Sequence, residues 1–269
     1  LYAKTVTLGR THWSDTNRVM LRNRRIGCSV SGVAQFITSR GLDELQNWLE
    51  NGYDTIQDWD KQYSDWFAVP KSIKTTSVKP SGTVSLLAGA TPGLHYPESR
   101  FYIRRVRLSN HSELLEPLKK AGYKIEPAFG SEDTTMVVEV PVDVGEGIRT
   151  AAELSIWEQF SLAAFLQRHW ADNQVSCTAT FNPETEAEQL PYVLNYFQYR
   201  LKGISLLPRH ELGAYKQMPY ESIDEKEYDK QIKKLGKLTF GVIKNEEAEI
   251  DKFCNNDSCE IPGEEIKST

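Results

Sequence analysis

The chain has 269 residues, a formal net charge of −5 and charged side chains at 26% of its positions. This length allows one large domain or two ordinary ones, with a sizeable core. The mildly acidic balance gives no indication of the basic surface that duplex nucleic acid or an anionic membrane requires, so we expect no direct nucleic-acid partner and no membrane partner.

The first third of the chain is predicted to be mainly helical. Residues 14–39 read as a helix, a glycine break and a second helix around VSGVAQF. From Leu42 to Phe67 apolar residues recur at helical spacing, which predicts one amphipathic helix that Gly52 can interrupt. We expect the aromatic side chains of this helix to face the core rather than to form a binding platform. They are Trp48, Trp59, Tyr63 and Trp66.

Strands and helices alternate through the rest of the chain. Strands are predicted for the runs IKTTSVKP, FYIRRVRL, TTMVVEVPV, QVSCTATF and GISLLP. Helices are predicted for HSELLEPLKKAGY, closed by Gly122, and for AEQLPYVLNYFQYRLKG, with Pro191 in its first turn. This alternation favours an α/β fold class with much parallel strand pairing.

The clearest predicted helix is TAAELSIWEQFSLAAFLQRHWAD, between the third and fourth of these strands. Apolar residues at helical spacing predict one buried stripe along it. The stripe consists of Leu154, Trp157, Phe160, Ala164 and Phe165.

Pro80, Ser81, Gly82 and Thr83 stand between a predicted strand and a predicted helix start. A helix start has free N–H groups and a partial positive charge, which suit a phosphate. Glycine allows a close approach to the backbone, and the two hydroxyls add donors. An ordinary N-cap by Ser81 or Thr83 explains the same residues, so both interpretations stay open. The stretch is not a Walker loop, because no Gly-Lys-Ser/Thr follows it.

The N-terminus and the cysteines bear on the compartment. LYAKTVTLGR lacks the features of a signal peptide and does not start with Met, as expected of a fragment or processed piece. No apolar run is long enough to span a bilayer. Four cysteines are too few for a disulfide scaffold, so we expect a reducing, cytoplasmic setting.

The four cysteines fall into two pairs. Cys28 and Cys177 alternate with core-type neighbours and are expected to be buried and inert. Cys254 and Cys259 lie in the acidic, polar segment after Gly236, which is predicted to be a mobile tail. Zinc would need two further ligands, and the tail has no His and no other Cys. A redox-active dithiol on a flexible arm is therefore favoured over half a zinc site. The five histidines show no metal-binding spacing, so no metal site is expected.

Six segments, in order, resemble one family. They are NRRIGCSVSGVAQF, KTTSVKPSGTVSLLAGATPGLHY, YIRRVRL, WADNQVSCTATF, KGISLLP and CNNDSCEI. They look like the C-terminal part of an adenosylcobalamin-dependent (class II) ribonucleotide reductase of the monomeric ribonucleoside-triphosphate reductase type. The resemblance implies that residues 1–236 are part of a ten-stranded α/β barrel and that residues 237–269 are a flexible redox tail.

The resemblance also implies roles for residues. Ser81, Gly82 and Thr83 would hold the phosphates of a ribonucleoside triphosphate substrate, with Pro80 shaping the turn. The tail cysteines, Cys254 and Cys259, would be re-reduced by thioredoxin or a similar reductant and would then reduce an active-site disulfide. Adenosylcobalamin is the implied cofactor, and WADNQVSCTATF resembles a stretch near its side of the barrel, with no single contact assigned.

Two departures from the pattern qualify the resemblance. The family's Asn-Pro-Cys-Gly-Glu type motif, which carries the radical cysteine, does not occur in the sequence. The chain is therefore expected to be catalytically incomplete and to need a second polypeptide that carries this motif. Leu206 and Leu207 stand where the iron-dependent class places two tyrosines, which favours a cobalamin radical source.

A non-catalytic nucleotide-binding α/β domain is the alternative, and a zinc-binding or structural protein is a weaker one.

Overall fold

A computed structural model of the chain describes residues 1–82, 84–209 and 216–239. The chain divides into two compact units. Unit 1 comprises residues 1–97 and 147–209, and unit 2 comprises residues 98–146 with the described residues from 216 to 239. The tail predicted for residues 237–269, including Cys254 and Cys259, lies outside the described residues apart from its first three positions.

The first third of the chain is helical as predicted, and helices and strands are interspersed along the rest of the described chain. The helices in the described part are α1 (Tyr2–Val6), α2 (Ser14–Asn23), α3 (Val33–Arg40), α4 (Leu42–Trp66), α5 (Val84–Leu87), α6 (Leu115–Lys120), α7 (Ile156–His169), α8 (Pro183–Glu186), α9 (Leu190–Phe197) and α10 (Glu225–Ile232). The strands are β1 (Phe101–Ser109), β2 (Lys124–Pro127), β3 (Thr135–Asp143), β4 (Thr178–Phe181), β5 (Ser205–Pro208) and β6 (Tyr220–Ser222). None of the helices described has the length and apolar character needed to span a lipid bilayer.

Unit 1 is built on a ladder of parallel extended segments, which we call the parallel ladder. Residues 26–28 pair with residues 74–78, which pair in turn with residues 173–176. The last of these segments continues into β4, which pairs in parallel with β5 in a register that sets Thr178 opposite Ser205. The parallel pairing predicted from the alternation of strands and helices is thus found in unit 1.

Helices α4, α7 and α9 of unit 1 pack against one side of the parallel ladder. Val78, Val175 and Cys177 pack with Leu45 and Leu49 of α4 and with residues of α7 in one buried cluster. A second cluster joins Ala179 and Phe181 of β4 to the apolar residues of α7 and α9. These strand residues recur at every second position, so the intervening ones face away from the helices.

The prediction that the aromatic side chains of α4 face the core was wrong for its three tryptophans. The helix runs uninterrupted through Gly52, where an added Cβ would lie 3.3 Å from the ring of Trp170. Trp48, Trp59 and Trp66 remain 63%, 46% and 64% exposed. They share one stripe, because successive members are 11 and 7 positions apart, which is close to whole numbers of helical turns, and that stripe flanks the buried face.

The buried stripe of α7 is also displaced from its predicted position. Ile156, Phe160, Ala163 and Leu166 are buried along the helix. Phe160 and the preceding Leu154 are buried as predicted, whereas the three other residues of the predicted stripe are only partly buried. Two neighbouring arcs of α7 are apolar, so spacing alone cannot select the one that meets the parallel ladder.

Unit 2 contains a four-stranded antiparallel sheet in the order β2-β3-β1-β6. Here the expectation of parallel pairing was wrong. β1 and β3 are paired along nine residues, from Phe101 opposite Asp143 to Ser109 opposite Thr135. A row of alternating charges crosses all four strands, because Glu139 accepts from both Lys124 and Arg105, and Arg105 also pairs with Glu221. Opposite charges at facing positions stabilise this register.

A buried ion pair anchors α1 to α4. Lys4 is 1% exposed, and its Nζ lies 2.8 Å from Oδ1 of Asp60. Nζ also donates to the carbonyl of Pro70 at 3.2 Å, and Asp60 accepts from the amide and hydroxyl of Ser72. Burial raises the pKa of Asp60, but the hydrogen bonds from Lys4 and Ser72 outweigh it and hold the pKa below its ordinary value.

Replacing Lys4 by Met should destabilise the chain by about 3–5 kcal/mol, because it leaves the Asp60 carboxylate buried without its partner. Urea unfolding at pH 7 measures the change. Arg18→Ala is the control, since the Arg18–Asp15 pair is 76% and 87% exposed and should contribute little. Equal effects of the two substitutions would contradict the assignment.

The stabilisation from Asp60 should be complete above the ordinary aspartate pKa and should disappear as pH falls through its lowered pKa.

Candidate functional site

The residues Pro80–Gly82, which we call the Pro80 turn, follow the ladder segment 74–78 and precede α5. The strand-to-helix junction predicted from sequence is therefore present, although α5 has only four residues. Ser81 has a left-handed backbone conformation with φ of +56°, and its carbonyl accepts from the amide of Ser85 at 3.1 Å. Thr83, the fourth residue of the predicted motif, lies outside the described residues.

The Pro80 turn leaves hydrogen-bond donors unused. Within the described residues, the N–H groups of Ser81 and Gly82 and the Ser81 hydroxyl donate to no acceptor. Ser81 therefore does not act as an N-cap towards any described amide. Backbone N–H groups and a hydroxyl at the end of a strand form the kind of donor set that an anion can accept from.

Gly93 fits directly against the chain at the start of the Pro80 turn. Its φ is +52°, and a Cβ added to it would lie 2.5 Å from the carbonyl oxygen of Lys79 and 3.4 Å from Cα of Pro80. The backbone at Gly93 therefore packs directly against the residues at which the turn begins. The amide of Lys79 is held in addition by the Ser29 hydroxyl, which accepts from it at 2.9 Å.

The start of α3 holds the segment that contains Gly93. Gly32 donates from its amide to the carbonyl of Thr91 at 2.8 Å, and the side-chain oxygen of Gln35 accepts from the Thr91 amide at 2.9 Å. The Gln35 amide group donates to the carbonyl of Gly89 at 3.0 Å. Sequence reasoning missed these supporting residues, and the Pro-Gly pair in TPGLHY was the only local signal of a turn beside the motif.

The WADN segment, at the start of WADNQVSCTATF, makes hydrogen bonds to the ladder segment 74–78. The Trp170 indole donates to the carbonyl of Ser77 at 2.9 Å. Asp172 accepts from the amide and hydroxyl of Thr75, both at 3.0 Å, and from the Tyr53 hydroxyl at 3.0 Å. Burial, followed by the bond to Asp172, raises the pKa of Tyr53. These polar side chains make bonds within the chain and have a structural role.

The face of β4 that points away from the helices carries Thr178 and Thr180. The Thr180 hydroxyl is buried and makes no hydrogen bond within the described residues. Cys177, on the helix-facing side, is buried and has its pKa raised to about 12 by that burial. Cys28 is half-buried, and burial likewise raises its pKa. The predicted burial is thus found for Cys177 but only in part for Cys28, and the inertness of both thiols stays a prediction.

Sequence and structure comparisons agree with one another. No protein-family model matches the chain. A probable adenosylcobalamin-dependent ribonucleoside-triphosphate reductase from Dictyostelium discoideum is 57% identical over 97% of the chain, and an adenosylcobalamin-dependent ribonucleoside-triphosphate reductase from Euglena gracilis is 56% identical over 96%. A crystal structure of a B12-dependent (class II) ribonucleotide reductase superposes with a TM-score of 0.78 at 33% identity over 88% of the chain.

These similarities place the chain among the ribonucleotide reductases. Within them it belongs to the adenosylcobalamin-dependent class II family, which confirms the resemblance carried by the six ordered segments. The chain spans about a third of the length of the curated relatives that it matches, 35% and 36% for the two named above. It covers 37% of the crystallised reductase.

The close approach at Gly93 can be tested with Gly89 as a matched control. Both glycines have positive φ, +52° and +64°, but an added Cβ at Gly89 meets nothing within 4 Å. Gly89→Ala should cost about 1–2 kcal/mol, the strain of a left-handed conformation. Gly93→Ala should cost about 1–3 kcal/mol more, because the new methyl group displaces the Lys79 carbonyl. Thermal or urea unfolding measures both, and equal losses would show that the close approach does not constrain the turn.

Proposed function

We propose that this chain supplies the substrate-phosphate site and the reducing arm of an adenosylcobalamin-dependent ribonucleoside-triphosphate reductase. Such an enzyme replaces the 2′-hydroxyl of a ribonucleotide by hydrogen. The similarity to two reductases of this name, along 96–97% of the chain, is the observation that carries the proposal. Because the chain spans only about a third of those relatives, its activity, substrate and partners are inferred from theirs.

The Pro80 turn is the part of the chain that we assign to the substrate phosphates. Its unused N–H groups at Ser81 and Gly82 and the Ser81 hydroxyl are suited to phosphate oxygens. Pro80 fixes the backbone before them, and Thr83 would add a second hydroxyl. Gly93 and the Ser29 hydroxyl hold the start of the turn, so the donors are positioned before the nucleotide arrives.

The polar face of β4 bears on the fit of the cofactor. The buried Thr180 hydroxyl, with no partner in the described residues, is suited to a polar ligand group on the side of the ladder opposite the helices. This fits a bound cofactor or substrate without selecting between them, so no cobalamin contact is assigned. Adenosylcobalamin, when bound, would supply the 5′-deoxyadenosyl radical. The absence of a tyrosine pair at Leu206 and Leu207 of β5 supports a radical source of this kind.

Cys254 and Cys259 are assigned the role of a reducing shuttle. The thiolate of one would attack a disulfide in the active site and form a mixed disulfide, which the other thiol then resolves. Two electrons and two protons pass to the active-site cysteines, and the arm becomes a disulfide. A thioredoxin or similar dithiol would reduce it again by the same exchange.

A second polypeptide, or a further part of the same one, is required for turnover in this proposal. The Asn-Pro-Cys-Gly-Glu type motif that carries the radical cysteine in the family does not occur among the 269 residues. The same observation favours the alternative, a non-catalytic nucleotide-binding α/β domain. Turnover after addition of a polypeptide that bears this motif supports the reductase, whereas nucleotide binding without turnover in that assembly favours the alternative.

The phosphate site is tested by replacing Ser81 with Ala and Thr83 with Val in the same chain. Loss of donors to charged oxygens should weaken binding of a ribonucleoside triphosphate by about 1–3 kcal/mol. Isothermal titration of the chain with the nucleotide measures the change. The control is Ser39→Ala with Thr55→Val, which removes the same groups from exposed helix positions. Unchanged affinity in the first double variant would assign the phosphates elsewhere and leave a helix cap by Thr83 as the remaining interpretation of the motif.

The shuttle is tested by replacing both Cys254 and Cys259 with Ser in the assembly completed by the motif-bearing polypeptide and adenosylcobalamin. A single turnover should survive, because the active-site thiols begin reduced. Multiple turnover driven by thioredoxin should be abolished, and a small dithiol that enters the active site should restore much of the rate. Asn255→Ser with Ser258→Ala is the control within the same segment. Sustained thioredoxin-driven turnover in the double Ser variant would rule out the shuttle.

A further inference from the structure

The His95 side chain connects residues 91–95, the segment that contains Gly93, to β4. Its Nε2 accepts from the amide of Thr178 at 3.3 Å, and its Nδ1 lies 3.3 Å from the carbonyl oxygen of Pro92. The Pro92 carbonyl also accepts from the backbone amide of His95 at 2.9 Å. The imidazole thus connects two segments that are 83 residues apart in the sequence.

These contacts fix the protonation state of the ring. The Thr178 amide can only donate, so Nε2 must be the unprotonated, accepting nitrogen. The Pro92 carbonyl can only accept, so the proton of the neutral ring lies on Nδ1. An imidazolium would carry a second proton on Nε2, directed at the Thr178 N–H, and could not make this bond.

The position of the Pro80 turn depends on both segments. Gly93, the residue after Pro92, lies against Lys79 and Pro80. In the neighbouring ladder segment, Ser176 lies two residues before Thr178. Its amide donates to the carbonyl of Val78 at 2.8 Å. His95 therefore closes a ring of contacts that passes through the turn, its supporting segment and the neighbouring strand.

We propose that His95 is a positioning residue for the Pro80 turn, that its neutral ring holds segment 91–95 against β4, and that a proton taken up from solvent at Nε2 releases this segment and weakens nucleotide binding. The inference rests on the proposed phosphate role of the turn. It adds a pH dependence to that site that comes from the protein rather than from the ligand.

The surroundings of His95 favour the neutral ring. Burial lowers the pKa of His95 below its ordinary value, and the Pro92 carbonyl opposes this only in part. Tyr96 follows His95 in the chain and Cys177 precedes Thr178; burial raises the pKa of both, so both are uncharged near neutral pH. Arg149 and Glu158, whose charges act on Tyr96, lie 2.7 Å apart as an ion pair. No charged group among the described residues adds to the shift at His95.

The sign of the pH effect follows from the lowered pKa. The stabilisation that the neutral ring provides is complete above the ordinary histidine pKa, and it is lost as pH falls through the lowered value. Because release takes up one proton, nucleotide affinity should fall by at most about tenfold for each pH unit below the lowered pKa of His95, until it reaches the weak affinity of the released form. Above it, affinity should not depend on this group.

The test compares ATP binding to the parent chain with binding to His95→Gln and His95→Leu between pH 5 and 8, a range of about one and a half units around the ordinary histidine pKa. Gln can still accept from the Thr178 amide but does not titrate, so its affinity should match the parent near pH 7.5 and exceed it increasingly at acid pH. Leu accepts nothing and should bind weakly at every pH. Protonation of ATP itself affects all variants equally and cancels in the ratios. His12→Gln, at an exposed position, is the control and should follow the parent.

A second measurement separates this proposal from the proposed function. Hydrogen exchange at the Thr178 amide should accelerate at acid pH in the parent relative to His95→Gln, whether or not nucleotide is present. An acid loss of affinity shared equally by the parent and the Gln variant, or parent-like binding by the Leu variant, overturns the role of His95. If no variant binds ATP at any pH, the phosphate role of the turn fails, and the exchange of Thr178 still decides whether His95 holds the segment.

Discussion

The backbone hydrogen bonds of the parallel ladder determine where the candidate site lies. Segment 74–78 is bonded to residues 26–28 on one side and to residues 173–176 on the other, so its direction and its end are fixed from both edges. The Pro80 turn begins where these bonds stop. Its donors are unused because a chain that leaves a sheet at a proline has no further strand partner to satisfy them. The position of the candidate site thus follows from the point at which these ladder bonds end.

The polar groups near the ladder are of two kinds: those with hydrogen-bond partners within the chain and those without a partner among the described residues. Asp172 accepts from several donors at once, and Asn173 donates to the carbonyls of Ile26 and Thr76, so these partly buried groups are satisfied within unit 1. Buried polar networks of this kind rigidify a fold when every member has its partners. The unused donors at Ser81 and Gly82 and the Thr180 hydroxyl differ in this respect, which is why they are candidates for ligand contacts.

Close packing of backbone against backbone is the second constraint on the site. Gly93 and Gly122 both have positive φ, and at each an added Cβ would come within 3 Å of a backbone carbonyl oxygen. At Gly93 that oxygen belongs to Lys79, immediately before the Pro80 turn. Because main-chain atoms cannot move aside as a flexible side chain can, the supporting segment and the turn must shift together. This shared movement is the physical basis for the proposed effect of His95 on the donors of the turn.

Several features of this protein could be predicted from the sequence alone. The order of helices and strands follows from local patterns: β-branched runs for β3, a proline in the first turn of α9 and a glycine after α6. The family could be recognised because six short segments occur in one order, and the comparisons confirm it. The junction at Pro80 could also be predicted from the sequence, since proline restricts the backbone and glycine frees it wherever they occur.

Only the tertiary structure decided which surfaces meet. Helical spacing placed Trp48, Trp59 and Trp66 on one stripe of α4, but their exposure depends on which arc the parallel ladder covers. The antiparallel sheet of unit 2 depends on pairings such as Arg105 with Glu139, which no local pattern specifies. Gly93 and His95 carry no motif of their own, because their roles come from contacts with Lys79 and Thr178. Local sequence constrains local conformation, whereas packing joins residues that are far apart in the chain, and the support of the candidate site is entirely of the second kind.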